Sequence, residues 1–195
     1  MPLFSTEEIR DLAVSVLVIT IVLLSLRDFR DLSVSFPLFL AVVLISFLPH
    51  ELAHKFVAIK LGAVAIYKIF VSGLLFSLLT IVLPIKFIAP GAVVIYQKRF
   101  GRWKWKAARL TVSEGGLISV SGPLVNLGLA GLASLLPGIY FFNLLAYINA
   151  LLAFFNLLPV KPLDGSKVLE WKPWLWIFLL VSSLALLIAK LSGPL

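Results

Sequence analysis

The residues best suited to chemistry form the run His50-Glu51-Leu52-Ala53-His54 within an apolar stretch of the chain. On a helix, positions i and i+4 share one face, so the two imidazoles could ligate one zinc ion. The glutamate beside the first histidine then has the place of a general base for water that the ion activates. The pattern predicts His50 and His54 as metal ligands and Glu51 as the catalytic base.

Two further observations support this short pattern. His50 and His54 are the only histidines in the chain, and with Glu51 they lie in an apolar run, where ionisable groups are costly and usually functional. The alternative is a pair of polar side chains hydrogen-bonded between helices, which leaves the glutamate without a role. Pro49, directly before His50, either kinks this helix or marks a helix start.

A third ligand must come from elsewhere, because a catalytic zinc ion usually has three protein ligands and a water. The chain has no cysteine, so its carboxylates are the candidates. Asp164 differs from the others because it follows an apolar run in which Pro159 and Pro162 break the helix. Such a break can present a carboxylate at membrane depth. The alternative is an ordinary interfacial turn, which Pro, Asp and Gly favour, and spacing alone leaves both open.

Composition places much of the chain in lipid. Apolar residues make up 61% and charged residues 13% of its 195 residues, against about 45–50% and about 25% in soluble domains. The net charge is +8, and six positive residues cluster within 98–109. Next to membrane spans, such a cluster is typical of a topology signal that contacts anionic lipid headgroups. We therefore expect the lipid bilayer, and no nucleic acid, as a partner.

The order of apolar runs predicts an all-α polytopic membrane protein with about five transmembrane helices, a re-entrant segment and short β-strands near the active site. A span needs roughly 20 apolar residues. Two pieces rich in β-branched and aromatic residues, 63–71 and 92–97, are predicted strands. We expect one integral membrane domain over 1–195, with its core at 34–170 and accessory helices at 12–26 and 173–192. The candidate spans are 12–26, 34–60, 117–136, 139–160 and 173–192.

The depth of the ligands constrains the topology. His50 and His54 lie in the later half of the span 34–60, and Asp164 follows the span 139–160. The two ligand-bearing spans must therefore run in the same direction, which is impossible if both 72–90 and 117–136 cross between them. We predict that 72–90 is re-entrant, and its interruption by Pro84, Lys86 and Pro90 agrees with this. The arrangement puts most positive residues on the cytoplasmic side.

The combination of motifs resembles the site-2 protease family, in its compact prokaryotic and archaeal form without a PDZ domain. The resemblance covers most of residues 45–168. It consists of HExxH in one transmembrane helix together with three further motifs: Pro90-Gly91-Ala92-Val93, Gly122-Pro123-x-x-Asn126 and Asn156-x-x-Pro159 followed by Leu163-Asp164-Gly165.

The resemblance implies that His50, His54 and Asp164 ligate one zinc ion and that Glu51 is the catalytic base. Asn126 and Asn156 match polar positions near the family's active-site cleft, which predicts that they contact substrate. The alternative for both amides is a hydrogen bond between helices.

A substrate helix must be unwound before it is cut, because its backbone hydrogen bonds shield each peptide bond. An exposed strand edge can pair with the unwound segment. Residues 92–97 are the candidate edge, which predicts that Val93, Val94 and Ile95 bind substrate. The alternative is that this strand only pairs with 63–71.

Together these inferences predict an intramembrane zinc metalloprotease that hydrolyses peptide bonds within transmembrane helices of substrate proteins. We expect a multi-pass protein of the cell membrane whose active site opens towards the cytoplasm and whose partner is the substrate helix. One alternative is a membrane metal-ion transporter, which would show repeats and several ligands along a path. Another is an inactive helix-binding scaffold, against which the intact Glu51 argues.

Overall fold

The computed structural model describes residues 3–25, 32–83, 86, 88, 90–98 and 110–191. Most of the described chain is helical, and one small sheet accompanies the helices, which confirms the predicted all-α membrane class. In chain order the elements are α1 (Thr6–Leu24), α2 (Leu32–Lys60), β1 (Ala63–Ile69), α3 (Val71–Leu79), β2 (Gly91–Lys98), α4 (Val112–Ala133), α5 (Tyr140–Asn156), α6 (Asp164–Trp171) and α7 (Pro173–Leu191).

Three of the described helices, α2, α4 and α7, are long and apolar enough to cross a membrane, by length and composition. Helix α5 is apolar but has 17 residues, and α1 carries several charged residues in its first two turns. The predicted count of five spans therefore stays a prediction. Most of the predicted basic cluster, residues 99–109, lies outside the described residues.

Two helices begin before the apolar runs that predicted them, at Thr6 instead of 12 and at Val112 instead of 117. Both have capped, polar first turns. The side chain of Thr111 accepts from the Glu114 backbone, and the Glu114 carboxylate accepts from the Thr111 N–H in return. Such a capping box satisfies backbone donors that the first turn leaves free. Hydropathy alone misses these turns because their residues are polar.

Pro49 lies in the interior of α2, as does Pro37. The helix continues through both prolines from Leu32 to Lys60. Pro49 therefore does not mark a helix start, and the histidines that follow it share the face of one continuous helix.

The two predicted strands pair with each other. β1 and β2 are antiparallel, with Ile69 opposite Gly91, and the Phe70 N–H donates to the Pro90 carbonyl at 2.9 Å. The chain between them therefore leaves and returns at the same place. Its helical part, α3 and a 3-10 turn over Thr80–Val82, is about 20 Å long. A hydrocarbon core is about 30 Å thick, so this geometry agrees with the predicted re-entrant segment.

The largest buried cluster joins α1, α2 and α5. Ile19, Val22 and Leu23 of α1 are fully buried in it. Tyr67 of β1 reaches the same cluster and packs edge-on against Phe47, with 5.9 Å between ring centroids. The first helix is therefore packed into the core around the sheet, although the sequence analysis treats it as accessory.

Helices α4 and α6 approach closely at Gly116. A Cβ atom there would overlap the Trp171 side chain, whereas a Cβ at the adjacent Gly115 meets nothing within 4 Å. Gly116 is buried, so the missing side chain is what lets Trp171 lie against α4.

Gly116→Ala should lower stability by about 1–3 kcal/mol, because the extra methyl group overpacks the α4–α6 contact. Gly115→Ala is the matched control and should be neutral or up to about 1 kcal/mol more stable, since alanine is the better helix former. Unfolding of the purified proteins in detergent measures both effects. Equal midpoints for the two variants would contradict the packing described here.

Candidate active site and metal centre

Three side chains that are distant in sequence converge at one buried point. The Nε2 atoms of His50 and His54 are 3.0 Å apart. The Oδ2 atom of Asp164 lies 3.5 Å from the first and 3.1 Å from the second. Ligand atoms around a tetrahedral ion with bonds of about 2 Å are about 3.3 Å apart. The set therefore fits a single ion of the size of zinc, and two imidazoles with a carboxylate suit zinc chemically.

The three side chains come from two helices. His50 and His54 are one turn apart on α2, whereas Asp164 is the first residue of α6. Helix α5 ends at Asn156, and a turn brings the chain back to start α6. The Trp176 indole N–H donates to the Leu157 carbonyl at 2.7 Å and holds this turn against α7. The predicted break after α5 is thus what delivers the carboxylate.

Hydrogen bonds at the opposite ring nitrogens fix both imidazoles. The Nδ1 atom of His54 lies 2.7 Å from the Ile118 carbonyl, which can only accept, so this nitrogen carries the proton. The Nδ1 atom of His50 lies 2.5 Å from Asn126 Oδ1. With the Nδ1 proton held in this way, the neutral form of each ring has its lone pair on Nε2, which faces the shared point as a metal ligand must.

The Asn126 amide is itself held in place. Its Nδ2 group donates to the Ser46 carbonyl at 3.0 Å and to Asn149 Oδ1 at 2.8 Å, which assigns the oxygen to the His50 side. Asn149 in turn donates to the Ser46 hydroxyl at 2.8 Å. All three residues are fully buried. The bonds of Asn126 run between helices, which favours the alternative of helix–helix hydrogen bonding over the predicted contact with substrate.

One face of α4 supports both histidines. Ile118, Gly122 and Asn126 are spaced by four residues, which places them on one side of the helix. A Cβ atom at Gly122 would overlap both imidazoles, so only glycine allows this approach. In the sequence, Gly122 is only a motif position, whereas Asn126 is predicted to contact substrate. Two supporting residues were not predicted: Ile118, whose backbone carbonyl has no sequence signal, and Asn149, which a search for amides within apolar helices would have found.

Glu51 shares the cavity with the three converging side chains. The cavity has a volume of about 60 Å³ and is lined by His50, Glu51, His54 and Asp164 among others, which leaves room for more than one water molecule. Glu51 is 7% exposed, and its Oε2 atom has no hydrogen-bond partner among the described residues. A buried polar atom without a protein partner is costly, so water in the cavity is the natural partner of this oxygen. Such contact with water suits a general base.

Strand β2 forms one wall of this cavity. Val93 and Ile95 line it, and so does Asn156 at the end of α5. Val94 does not, because alternate side chains of a strand point to opposite faces. Of the residues predicted to bind substrate, three thus lie at the cavity, whereas Asn126 is buried behind His50 and Val94 lies on the other face of the sheet.

Gly122→Ala should weaken metal binding by more than about tenfold, because the added methyl group displaces the two imidazoles from their shared point. Gly128→Ala, two turns on in the same helix, meets nothing within 4 Å and should bind metal normally. Competition with a chromogenic chelator for zinc measures both affinities. Normal zinc affinity in the first variant would mean that the histidines do not form the site.

Comparison with known proteins agrees with this geometry. The chain is 39% identical over 182 residues to a protein of Methanocaldococcus jannaschii, and the match covers 89% of this chain and 88% of the relative. That relative is named a zinc metalloprotease by inference. A Bacillus subtilis protein named in the same way is 32% identical over 160 residues, which are 69% of this chain and 68% of the relative. No solved structure matches the chain.

A family model also matches the chain. The model of peptidase family M50 covers residues 136–174, which include helix α5, the turn after it and Asp164. Zinc is the metal in the names of both relatives, and the two imidazoles and the carboxylate are ligands that zinc accepts. The chain therefore belongs to peptidase family M50, the site-2 protease family of membrane zinc metalloproteases.

Proposed function

We propose that this protein is an intramembrane protease that hydrolyses peptide bonds within transmembrane helices of other proteins. His50, His54 and Asp164 hold the zinc ion, and Glu51 is the general base. The observation that carries this proposal is the convergence of the three ligand atoms, all within 4.8 Å of one another, in the cavity that also contains the Glu51 carboxylate.

Zinc, when bound, polarises the scissile carbonyl group and makes water a stronger acid. The side chains of the cavity perform the remaining steps. Glu51 accepts the proton of the attacking water and passes it to the nitrogen of the leaving amine. Its buried position strengthens the electrostatic interactions of the carboxylate. Asn126 and the Ile118 carbonyl hold the imidazoles, so the ligands need no rearrangement during the reaction.

The substrate segment binds in an extended conformation along β2. One edge of this strand pairs with β1, as the structural alternative expected. Its other edge has no strand partner among the described residues, and Val93 and Ile95 line the cavity. An unwound peptide added there would satisfy its backbone groups as a new strand. Main-chain pairing of this kind does not depend on the side chains of the substrate.

The active site opens towards the cytoplasm, because the two ligand-bearing segments must place their ligands at the same depth. The hairpin β1–α3–β2 starts and ends at the same place, so α4 is the crossing that separates the two ligand-bearing segments. His50, His54 and Asp164 then lie on the side of the membrane that carries most of the positive residues.

The metal-ion transporter is the weaker alternative. A transport path needs several ligand sets along the membrane. Within the described residues, the one group able to hold a metal ion is His50, His54 and Asp164. The hydrogen bonds that hold both imidazoles in place, and the Glu51 carboxylate beside them, are typical of a permanently bound catalytic ion.

Glu51→Gln should lower the rate of peptide cleavage by at least about 10²-fold, because the amide cannot accept the proton of water. Zinc content should stay normal, since Glu51 is not a proposed ligand. The assay uses purified protein in liposomes and a synthetic transmembrane peptide, with metal content measured by mass spectrometry. Glu7→Gln, at an exposed position of α1, is the matched control. Cleavage at the normal rate by Glu51→Gln would refute the role of the base.

Asn126→Leu should weaken zinc binding by about 10–100-fold, because the His50 ring loses the acceptor that fixes its tautomer. Asn143→Leu is the control, since that amide donates to the Pro137 carbonyl at the exposed start of α5. Chelator competition measures both variants. If Asn126→Leu instead left zinc affinity unchanged and raised only KM, the amide would contact substrate, as the sequence analysis predicted.

A further inference from the structure

The sheet has two outer edges. Alternate residues of each strand bond to the partner strand, and the residues between them present their backbone groups at the outer edge. The Phe70 N–H donates to the Pro90 carbonyl, so residues 66, 68 and 70 point their backbone groups at β2. In an antiparallel ladder the intervening residues point away from the partner strand. Tyr67 and Ile69 thus present their N–H groups at the outer edge of β1.

Helix α1 covers that outer edge with two carboxylates. Glu8 Oε1 accepts from the Tyr67 N–H at 2.9 Å, and Asp11 Oδ2 accepts from the Ile69 N–H at 3.3 Å. The two acids are three residues apart on one face of the helix, and the two N–H groups are two residues apart on one edge of the strand. The helix thus occupies donors that a further strand would need.

Helix α1 is attached to α2, the helix that carries the two histidines. Both Glu8 oxygens accept from Lys55 Nζ, at 2.5 and 2.6 Å, and the two side chains are 2% and 4% exposed. Lys55 directly follows the proposed ligand His54. The Ser15 and Tyr67 hydroxyls are also 2.8 Å apart and buried. Removing one partner of a buried ion pair is costly, so α1 is held firmly on this edge.

The outer edge of β2 is different. By the same alternation of residues, Val93 and Ile95 present their N–H and C=O groups away from β1. Both residues line the cavity that contains Glu51. Among the described residues, no side chain donates to or accepts from their backbone groups in the way that Glu8 and Asp11 do at β1.

We infer that α1 is an edge cap: Glu8 and Asp11 close the outer edge of β1, so that an extended substrate segment pairs only with β2, beside the catalytic base. This inference rests on the proposed function. Open strand edges accept other strands with little selectivity, and a substrate paired with β1 would lie one further strand away from the cavity. Glu8 and Asp11 are therefore positioning residues that direct the substrate to the productive edge.

Disulfide trapping distinguishes the two edges, and the absence of cysteine from the chain gives a clean background. Lys68→Cys reports on β1 and Tyr96→Cys on β2, both at exposed positions. Each is placed in the Glu51→Gln protein, so that the probe is not cut. The probe is a synthetic transmembrane peptide of Leu and Ala with central Gly residues and one Cys. A disulfide forms only when the Cβ atoms approach within about 4.5 Å, so it identifies the neighbouring strand.

With the cap intact, trapping should occur at Tyr96→Cys and be at least about tenfold weaker at Lys68→Cys. In Glu8→Ala/Asp11→Ala, trapping at Lys68→Cys should rise at least about tenfold, because two hydrogen bonds to charged groups are lost and each corresponds to about that factor. Asp11→Ala alone keeps the Glu8–Lys55 pair and should shift trapping in the same direction, by less. Glu7→Ala, an exposed acid next to Glu8, is the control and should change nothing.

Equal trapping at the two positions with the cap intact would overturn the inference. So would an unchanged pattern in the folded Asp11→Ala and double variants, with Tyr96→Cys still trapped. If neither position traps the probe although the Glu51-containing protein cleaves it, the strand-pairing mode is wrong and the edge cap falls with it, while the protease assignment stands. If the Glu51-containing protein does not cleave the probe and neither position traps it, the proposed function fails as well.

Discussion

The structure depends on bringing two imidazoles and a carboxylate to one point inside a medium that penalises each of them. An unpaired ionisable group in hydrocarbon is costly, so each of these side chains needs partners that replace its contacts with water. Helix α4 meets this need by presenting the Ile118 carbonyl, the bare surface of Gly122 and the Asn126 amide to the two histidines. Helices α2, α5 and α6 pack against α4, and the turn before α6 brings the carboxylate to the site.

The same constraint explains a sheet within a helical membrane protein. Backbone groups of an open strand edge cannot face lipid, and here each edge has a separate solution. One edge of β1 pairs with β2 and the other receives carboxylates from α1. The outer edge of β2 lies against the cavity, where water or an extended peptide can satisfy it. The outer edge of β2 is thus the edge at which the proposed pairing with substrate would take place.

Two groups of buried polar residues among those described have different tasks. The chain Ser46–Asn149–Asn126–His50 is neutral and orients a ring. The pair Glu8–Lys55 is ionic and fastens the first helix to the helix that carries the histidines. A neutral network sets the tautomer without adding charge next to the metal centre. An ion pair gives a strong and directional attachment, because breaking it would leave an uncompensated charge in the interior.

The sequence by itself determined the membrane class, the His50–Glu51–His54 spacing and both strands, because apolar periodicity and local spacing are encoded along the chain. It singled out Asp164 through the resemblance to a family motif, since spacing alone also allowed an ordinary interfacial turn. It misplaced the starts of α1 and α4, since polar first turns are invisible to hydropathy. Only the tertiary structure decided that Asn126 is buried behind an imidazole, that Val94 points away from the cavity and that α1 covers β1. Those facts depend on which elements pack against each other in the fold. Contacts between residues that are far apart in the sequence cannot be read from the spacing of neighbouring residues.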